Sequence, residues 1–183
     1  MNQIVKPTEG STRVYRNLLD YLIRPIELED EPFLWEMLYQ AIYVPAGAVA
    51  PPREIVKRPE LSCYVEGWGR SHDYGIKALT RDVLQPVGAV WLRLLSAGNS
   101  GYGYVDELTP ELSVAVKPEY RGRGIGTVLL KEMLKWGSDR YEALSLSVSA
   151  ENPAVRMYER EGFQVVGEAG ESLIMKIELK TRE

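Results

Sequence analysis

Cysteine and histidine are nearly missing from this chain, and each shortage closes off a chemistry. Cys63 is the one cysteine in 183 residues, so no intramolecular disulfide can form and nothing points to an oxidising compartment. With no Cys-His signature beside it, Cys63 reads as a small buried hydrophobe rather than a nucleophile. His72 is the one histidine, which makes a His-based metal cluster or a Ser-His-Asp triad hard to build, and no metal is expected. It lies in the polar run Arg70-Ser71-His72-Asp73, which reads as a surface turn.

An excess of positive charge is missing too. The chain has 22 Lys and Arg against 26 Asp and Glu, a formal charge of -4, whereas a general nucleic-acid binder normally shows a basic face or stripe. No nucleic-acid partner is expected, although a local basic pocket is still allowed. No apolar run approaches membrane-spanning length, and the opening MNQIVKPTEGSTRVYRNLLD has no continuous apolar core of a signal peptide. A soluble, cytoplasmic protein without membrane contact is the expectation. Repeats and low-complexity segments are absent. Residues 1 to about 18, polar and aperiodic, are expected to be a loosely held extension. A single domain over 19–183 follows, and 45% hydrophobic residues suffice for its core.

Periodicity divides that domain. Tyr21 to Arg24 reads as a short strand, and Asp30 with Pro32 marks a helix start. Phe33, Leu34, Met37, Leu38, Ala41 and Ile42 recur at helical spacing on its buried face. Three prolines and a glycine in VPAGAVAPP demand a loop, and residues 53–67 are predicted helical in two pieces interrupted by Pro59. DYGIKALT and PVGAVWLRLL, separated by the polar RDVLQ, read as a hairpin-like pair. LSVAV continues the strand pattern, with Leu112, Val114 and Val116 on one face. Ile125, Val128, Leu129 and Met133 then define an amphipathic helix ending near Gly137. LSLSV alternates, with Leu144, Leu146 and Val148 on one side and the serines on the other. Asn152-Pro153 signals a helix start, Gly162 ends that helix, and FQVVGE and SLIMKIEL close the chain as two strands joined by a glycine-containing turn. The order predicts a mixed α/β domain.

The densest chemical signal is VAVKPEYRGRGIGTVLLKEML, Val114 to Leu134. A strand ending at Val116 turns into a helix whose first N-H groups have no partners of their own, which makes an anion site. Gly122, Gly124 and Gly126 let the backbone come close to a phosphate and adopt dihedrals closed to other residues. Arg121 and Arg123 add charge and donors suited to phosphate oxygens. A pyrophosphate-bearing ligand is therefore expected. A Walker loop fails, because no lysine precedes Thr127. A dinucleotide fingerprint is weak, because the glycines fall as G-x-G-x-G late in the chain. A loop serving only chain reversal leaves the paired arginines unexplained.

The stretch resembles the acyl-CoA motif of the GCN5-related N-acetyltransferase superfamily, Arg/Gln-x-x-Gly-x-Gly/Ala, matched by Arg121, Gly124 and Gly126. ENPAVRMYEREGF is similar to a second motif of that family, with Asn152 at the helix start, Tyr158 within the helix and Gly162-Phe163 after it. LIRPIELEDEPFLWEML is like the family's opening strand and helix, so the likeness covers roughly residues 21 to 179. It implies the acyl-CoA N-acyltransferase fold, a mixed and mostly antiparallel sheet flanked by helices, with acetyl-CoA as cosubstrate. By that resemblance, Val114, Ala115 and Val116 pair through their backbone with the pantetheine arm. Main-chain amides of Arg121, Gly122, Arg123, Gly124, Ile125, Gly126 and Thr127 hold the pyrophosphate. The strand Leu144 to Val148 splays from Leu112 to Val116, opening a V for the cofactor, and Asn152 and Tyr158 sit near its thioester end.

The chemistry of acetyl transfer then assigns roles. An ammonium of pKa about 10 must lose a proton before it can attack a thioester. Glu111, Glu107 and Asp106 are the candidate bases, with Glu111 preferred by its place beside the strand. A backbone N-H near Val114 to Val116 would stabilise the developing oxyanion, and Tyr158 would give the leaving sulfur a proton or a hydrogen bond. Tyr43, Tyr64, Trp68, Tyr102 and Tyr104 supply aromatics for an acceptor pocket, and Asp106 and Glu107 would permit a cationic amine. The expected function is acetyl transfer to a primary amine of a small molecule or peptide, by a monomer or homodimer. A non-catalytic acyl-CoA sensor on the same fold is the alternative, since function lives in the site.

Overall fold

The computed structural model describes residues 15–18 and 21–179. Its strands are β1 (Tyr15–Leu18), β2 (Tyr21–Pro25), β3 (Tyr74–Thr80), β4 (Pro86–Arg93), β5 (Glu111–Val116), β6 (Ala143–Ser149), β7 (Gln164–Ala169) and β8 (Ser172–Glu178). They form one sheet in the order β1-β2-β3-β4-β5-β6-β8-β7. All neighbours run antiparallel except β5 and β6. β4 stays in register with β5 from Arg93↔Glu111 to Gly88↔Val116, whereas β5 and β6 meet at Glu111↔Ser145 and then part. The expected V is present.

Helices cover both faces. α1 (Glu31–Ala41) begins after Asp30 with proline in its first turn and buries Leu34, Met37 and Leu38. Together with the 53–57 segment and the turn after α2 (Pro59–Ser62), it packs Leu38, Val56 and Val65 against Ala89, Trp91 and Ala115 on one side of the sheet. On the other side α3 (Ile125–Gly137) and α4 (Val155–Arg160) bury Leu129, Leu130, Met133 and Tyr158 against Ile76, Val90, Leu144 and Leu146. β4, covered on both faces, is buried at every position after Pro86, as its near-continuous apolar run requires.

Three details depart from the sequence reading. Arg53–Lys57 is a 3-10 segment, and Pro59 opens α2 rather than interrupting a longer helix, because proline in a first turn forfeits no hydrogen bond. Of the extension expected over residues 1 to about 18, residues 1–14 lie outside the described residues, while Tyr15–Leu18 pairs with β2 at the sheet edge. The alternation of β6 predicts serines that face away from the core, yet Ser145 is fully buried. The loop at Gly103 lies against the backbone of Leu146 and Ser147 and covers that face. Among the described residues no helix is long and apolar enough to cross a membrane.

Candidate active site

The parting of β5 from β6 opens a cleft of about 1030 Å³. Peptide alternation decides what β5 presents to it. Lys117 N-H donates to Val87 O at 2.8 Å on the β4 side, and Ser145 N-H donates to Pro110 O at 3.0 Å on the β6 side. Successive peptide groups of a strand face opposite ways, so Leu112, Val114 and Val116 turn theirs away from β4. Beyond the single Glu111↔Ser145 pair, β6 has moved off. Arg121 Nε donates to Val116 O at 2.9 Å, leaving Val114 with N-H and C=O turned to the cleft.

The glycine loop forms the cleft's next wall. Gly122 and Gly124 have φ of +72° and +81°, the left-handed region that side chains disfavour. Gly124 caps α3, whose ladder starts with Val128 N-H to Gly124 O at 3.1 Å. The N-H groups of Ile125, Gly126 and Thr127 thus precede any intrahelical bond. Gly126 differs from the other two. A Cβ there would meet Val116, Val114 and Met157 at 3.8–3.9 Å, ordinary contact, so the fold itself does not demand a glycine.

The two arginines separate. Arg121 lines the cleft and ties the loop to α1 through Nη2 to Gln40 O at 3.0 Å. Arg123 does not line it: Nη2 donates to Glu119 O at 3.1 Å and the guanidinium lies 5.3 Å from the Tyr120 ring centroid. Asn152 and Tyr158 both line the opposite wall. Asn152 Oδ1 accepts from Ala154 N-H at 2.9 Å, closing the turn ahead of α4 rather than capping the helix at Asn152 as expected, because α4 begins at Val155 with Ala154 as its N-cap. Tyr158 packs edge-on against Phe163 with ring centroids 5.8 Å apart, and burial pushes its hydroxyl up to about 12.

Of the three acidic candidates only Glu111 lines this cleft. It is 3% exposed, and burial pushes its carboxyl up to about 7 against the opposing hydrogen bonds of Tyr64 and Gly103. Oε1 accepts from the Tyr64 hydroxyl and, at 2.7 Å, from Gly103 N-H. Oε2 is buried without a hydrogen-bond partner. Asp106 instead closes its own turn, accepting from Leu108 and Thr109 N-H at 2.9 Å, and the Leu108 bond leads in holding it below the usual carboxylate range. Glu107 is exposed beside Arg70, Leu95 and Asn99 in a separate shallow pocket. Four and five residues ahead of Glu111, on an exposed turn, Glu107 and Asp106 lie away from the strand.

Tyr43, Tyr64 and Tyr102 line the cleft; Trp68 and Tyr104 do not. Sequence reasoning takes Tyr64 as one aromatic among several and misses its bond to Glu111, 47 residues away. It also passes over Gly101 and Gly103. Their G-x-G spacing just ahead of an acidic strand start was the available signal.

A sequence profile of the Acetyltransferase (GNAT) family matches residues 27–163. The chain belongs to that family. It is an acetyl-CoA-dependent N-acetyltransferase, as the two motifs implied, and the sheet is the family's mixed, mostly antiparallel one. Solved structures agree on the fold. The ribosomal-protein-S18-alanine N-acetyltransferase of Escherichia coli is 16% identical with a TM-score of 0.61, over 89% of this chain and 96% of that one. PaiA N-acetyltransferase of Thermoplasma acidophilum, solved with coenzyme A, is 21% identical with a TM-score of 0.62, over 87% and 99%. The ribosomal-protein-alanine N-acetyltransferase of Brucella melitensis is 23% identical with a TM-score of 0.59, over 86% and 99%. No curated protein sequence matches the chain.

Proposed function

We propose that this GNAT protein transfers the acetyl group directly to a primary amine of a small molecule or peptide, with Glu111 as general base. The observation that carries the reading is the buried Glu111 carboxyl, raised to about 7, at the head of the strand whose peptide groups face the cleft. A binding module would have no use for such a group. A base poised near the working pH combines a populated carboxylate with useful basicity.

The cleft fits coenzyme A on its own features. Two left-handed glycines and three helix-start N-H groups form a concave, anion-seeking wall. Gly126, unneeded by the fold, leaves room where a phosphate would press on the backbone. Arg121 and the amides of Gly122, Gly124, Ile125, Gly126 and Thr127 would hold the pyrophosphate, Val114 to Val116 the pantetheine arm, and Asn152 and Tyr158 the thioester end. Arg123 contributes its backbone and, from a distance, its charge. Acetyl-CoA supplies an acyl group already activated as a thioester.

The chain's residues divide the remaining work. Glu111 takes a proton from the acceptor nitrogen. Val114 N-H donates to the oxygen that gains charge while the N-C bond forms. Tyr158 acts on the sulfur as the C-S bond breaks. An ordinary thiol titrates at about 8.5, so a phenol pushed up to about 12 keeps its proton. Tyr158 is therefore a hydrogen-bond donor to the thiolate; of the two protons an ammonium acceptor loses, one passes to Glu111 and on to water, and the second leaves the attacked nitrogen through water to protonate the thiolate.

Calorimetry with acetyl-CoA, followed by free-thiol release across a panel of amines, tests the reading. Binding with amine-dependent release is the expected result. Saturable binding with no release for any small amine or peptide amino terminus would favour the sensing module instead.

A further inference from the structure

Glu111 does not sit in its pocket unaided, and what holds it lies outside the two motifs. Tyr64 is 5% exposed on the turn that follows α2. Its hydroxyl donates to Glu111 Oε1 and accepts from Tyr102 N-H at 2.7 Å. Gly103 N-H completes the grip on the same oxygen at 2.7 Å. Oε1 is thereby occupied, and Oε2 is the atom left with unused lone pairs. Gly101 packs directly against it, since a Cβ there would lie 2.5 Å from Oε2.

Tyr64 is itself braced from the sheet. Trp91 Nε1 donates to its carbonyl at 3.0 Å. Arg93 donates to Cys63 O and Glu66 O at 2.9 Å and to Gly67 O at 3.2 Å, while pairing through Nη2 with Asp73 at 2.9 Å. Both partners of that pair are 1% exposed. A buried charge held by an acid and three carbonyls is a rigid anchor, and its only visible product is a fixed turn carrying Tyr64. Sites hold their geometry when the supporting shell is locked in this way.

We propose that Tyr64 is a positioning residue for acetyl transfer, anchoring Oε1 of Glu111 so that Oε2 is the atom presented to the proton of the acceptor nitrogen. This rests on Glu111 being the base. In the step, the proton passes from nitrogen to Oε2, the nitrogen lone pair forms the N-C bond, the C-S bond breaks with its electron pair leaving on the coenzyme A sulfur, and Tyr64 keeps its own proton throughout. The ionisable groups facing the carboxyl are Tyr64 and Cys63 from the α2 turn and Arg93 from β4. The guanidinium of Arg93 is engaged by Asp73. Burial first, then Glu111, pushes the Cys63 thiol up to about 11 and Tyr64 well above the usual phenol range, so Glu111 is the group that titrates near neutrality.

The test measures Glu111 twice in the full chain: by infrared titration of its carboxyl without ligand, identified by its loss in Glu111→Gln, and by the pH dependence of kcat with an accepted amine. Removing one hydrogen bond from the ionised form in Tyr64→Phe should move both curves upward by about one pH unit. At pH 7 kcat then falls about fivefold and recovers as pH rises, with KM for acetyl-CoA unchanged. A 3-fluorotyrosine at position 64, which keeps the shape and strengthens the donor, should move both curves downward and covers the case in which Tyr64→Phe does not fold. Equal loss of kcat at every pH, or curves that move for neither replacement, would overturn the positioning role. An acid limb of kcat unchanged in Glu111→Gln would instead remove the base assignment beneath it.

Discussion

Glu111 shows how one residue's environment makes its chemistry. The same carboxyl on an exposed turn, as Glu107 has, would be a solvated charge; roofed by the 101–103 loop it is pushed up to about 7. The sign for stability follows from linkage. A carboxyl whose folded pKa is raised above its unfolded value of about 4.5 stabilises the fold fully below that value, and the contribution is lost as pH climbs through about 7. Urea unfolding at pH 5 and pH 8 should therefore show this group's contribution falling by about 2–3 kcal/mol, most of the product of the shift and about 1.36 kcal/mol per unit, since pH 5 already lies just above the unfolded value. Glu111→Gln should lack that loss. Tyr158→Phe should lower kcat about tenfold, one hydrogen bond to a charged sulfur at about 1.4 kcal/mol, while leaving acetyl-CoA affinity nearly intact by calorimetry. An equal kcat would show that the hydroxyl does not touch the leaving group.

At the scale of elements, the glycine loop and the braced turn behave differently when altered. Gly124, at φ +81°, has open space where a Cβ would stand, with nothing within 4 Å, so Gly124→Ala strains the backbone by about 1–2 kcal/mol without a clash. The loss should appear in coenzyme A affinity, read by calorimetry, more than in the melting temperature, because the left-handed cap aims the first N-H groups of α3. The turn after α2 is held by charge. Arg93→Met leaves three buried carbonyls without their donor and Asp73 with only Arg70 and the Gly69 N-H, and losing a buried pair from one side costs at most about 3–5 kcal/mol. Denaturant unfolding should show that loss together with a rise in the Glu111 titration, since Tyr64 rides on the same turn. How legible these elements were follows from range. α3 and β6 were visible as periodic runs, because each is set within a few residues. The pairing of Tyr64 with Glu111 spans 47 positions, and no local pattern encodes it.

For the whole molecule the decisive feature is a sheet that stays paired everywhere except where it must receive a ligand. β3 pairs with β4 antiparallel with one shift at Ala78/Leu79, and β4 with β5 without a break, while β5 and β6 hold at Glu111↔Ser145 and then diverge. Amide exchange should report this directly. Adding acetyl-CoA should protect Val114 and Gly122 to Thr127 and leave the paired amides of β3 and β4 unchanged. Protection spread evenly over the sheet would mean that the ligand tightens the fold as a whole rather than filling the gap.

The sequence by itself determined the elements, the anion-seeking loop, the two motifs and hence the family, because periodicity, caps and glycine spacing act over a turn or a strand. Tertiary structure decided which acid enters the cleft, that Arg121 faces it while Arg123 turns aside, and that Tyr64 grips Glu111. Those outcomes depend on which distant segments are pressed into one dry space. Burial and hydrogen bonding take their magnitudes from that space, and not from neighbours along the chain.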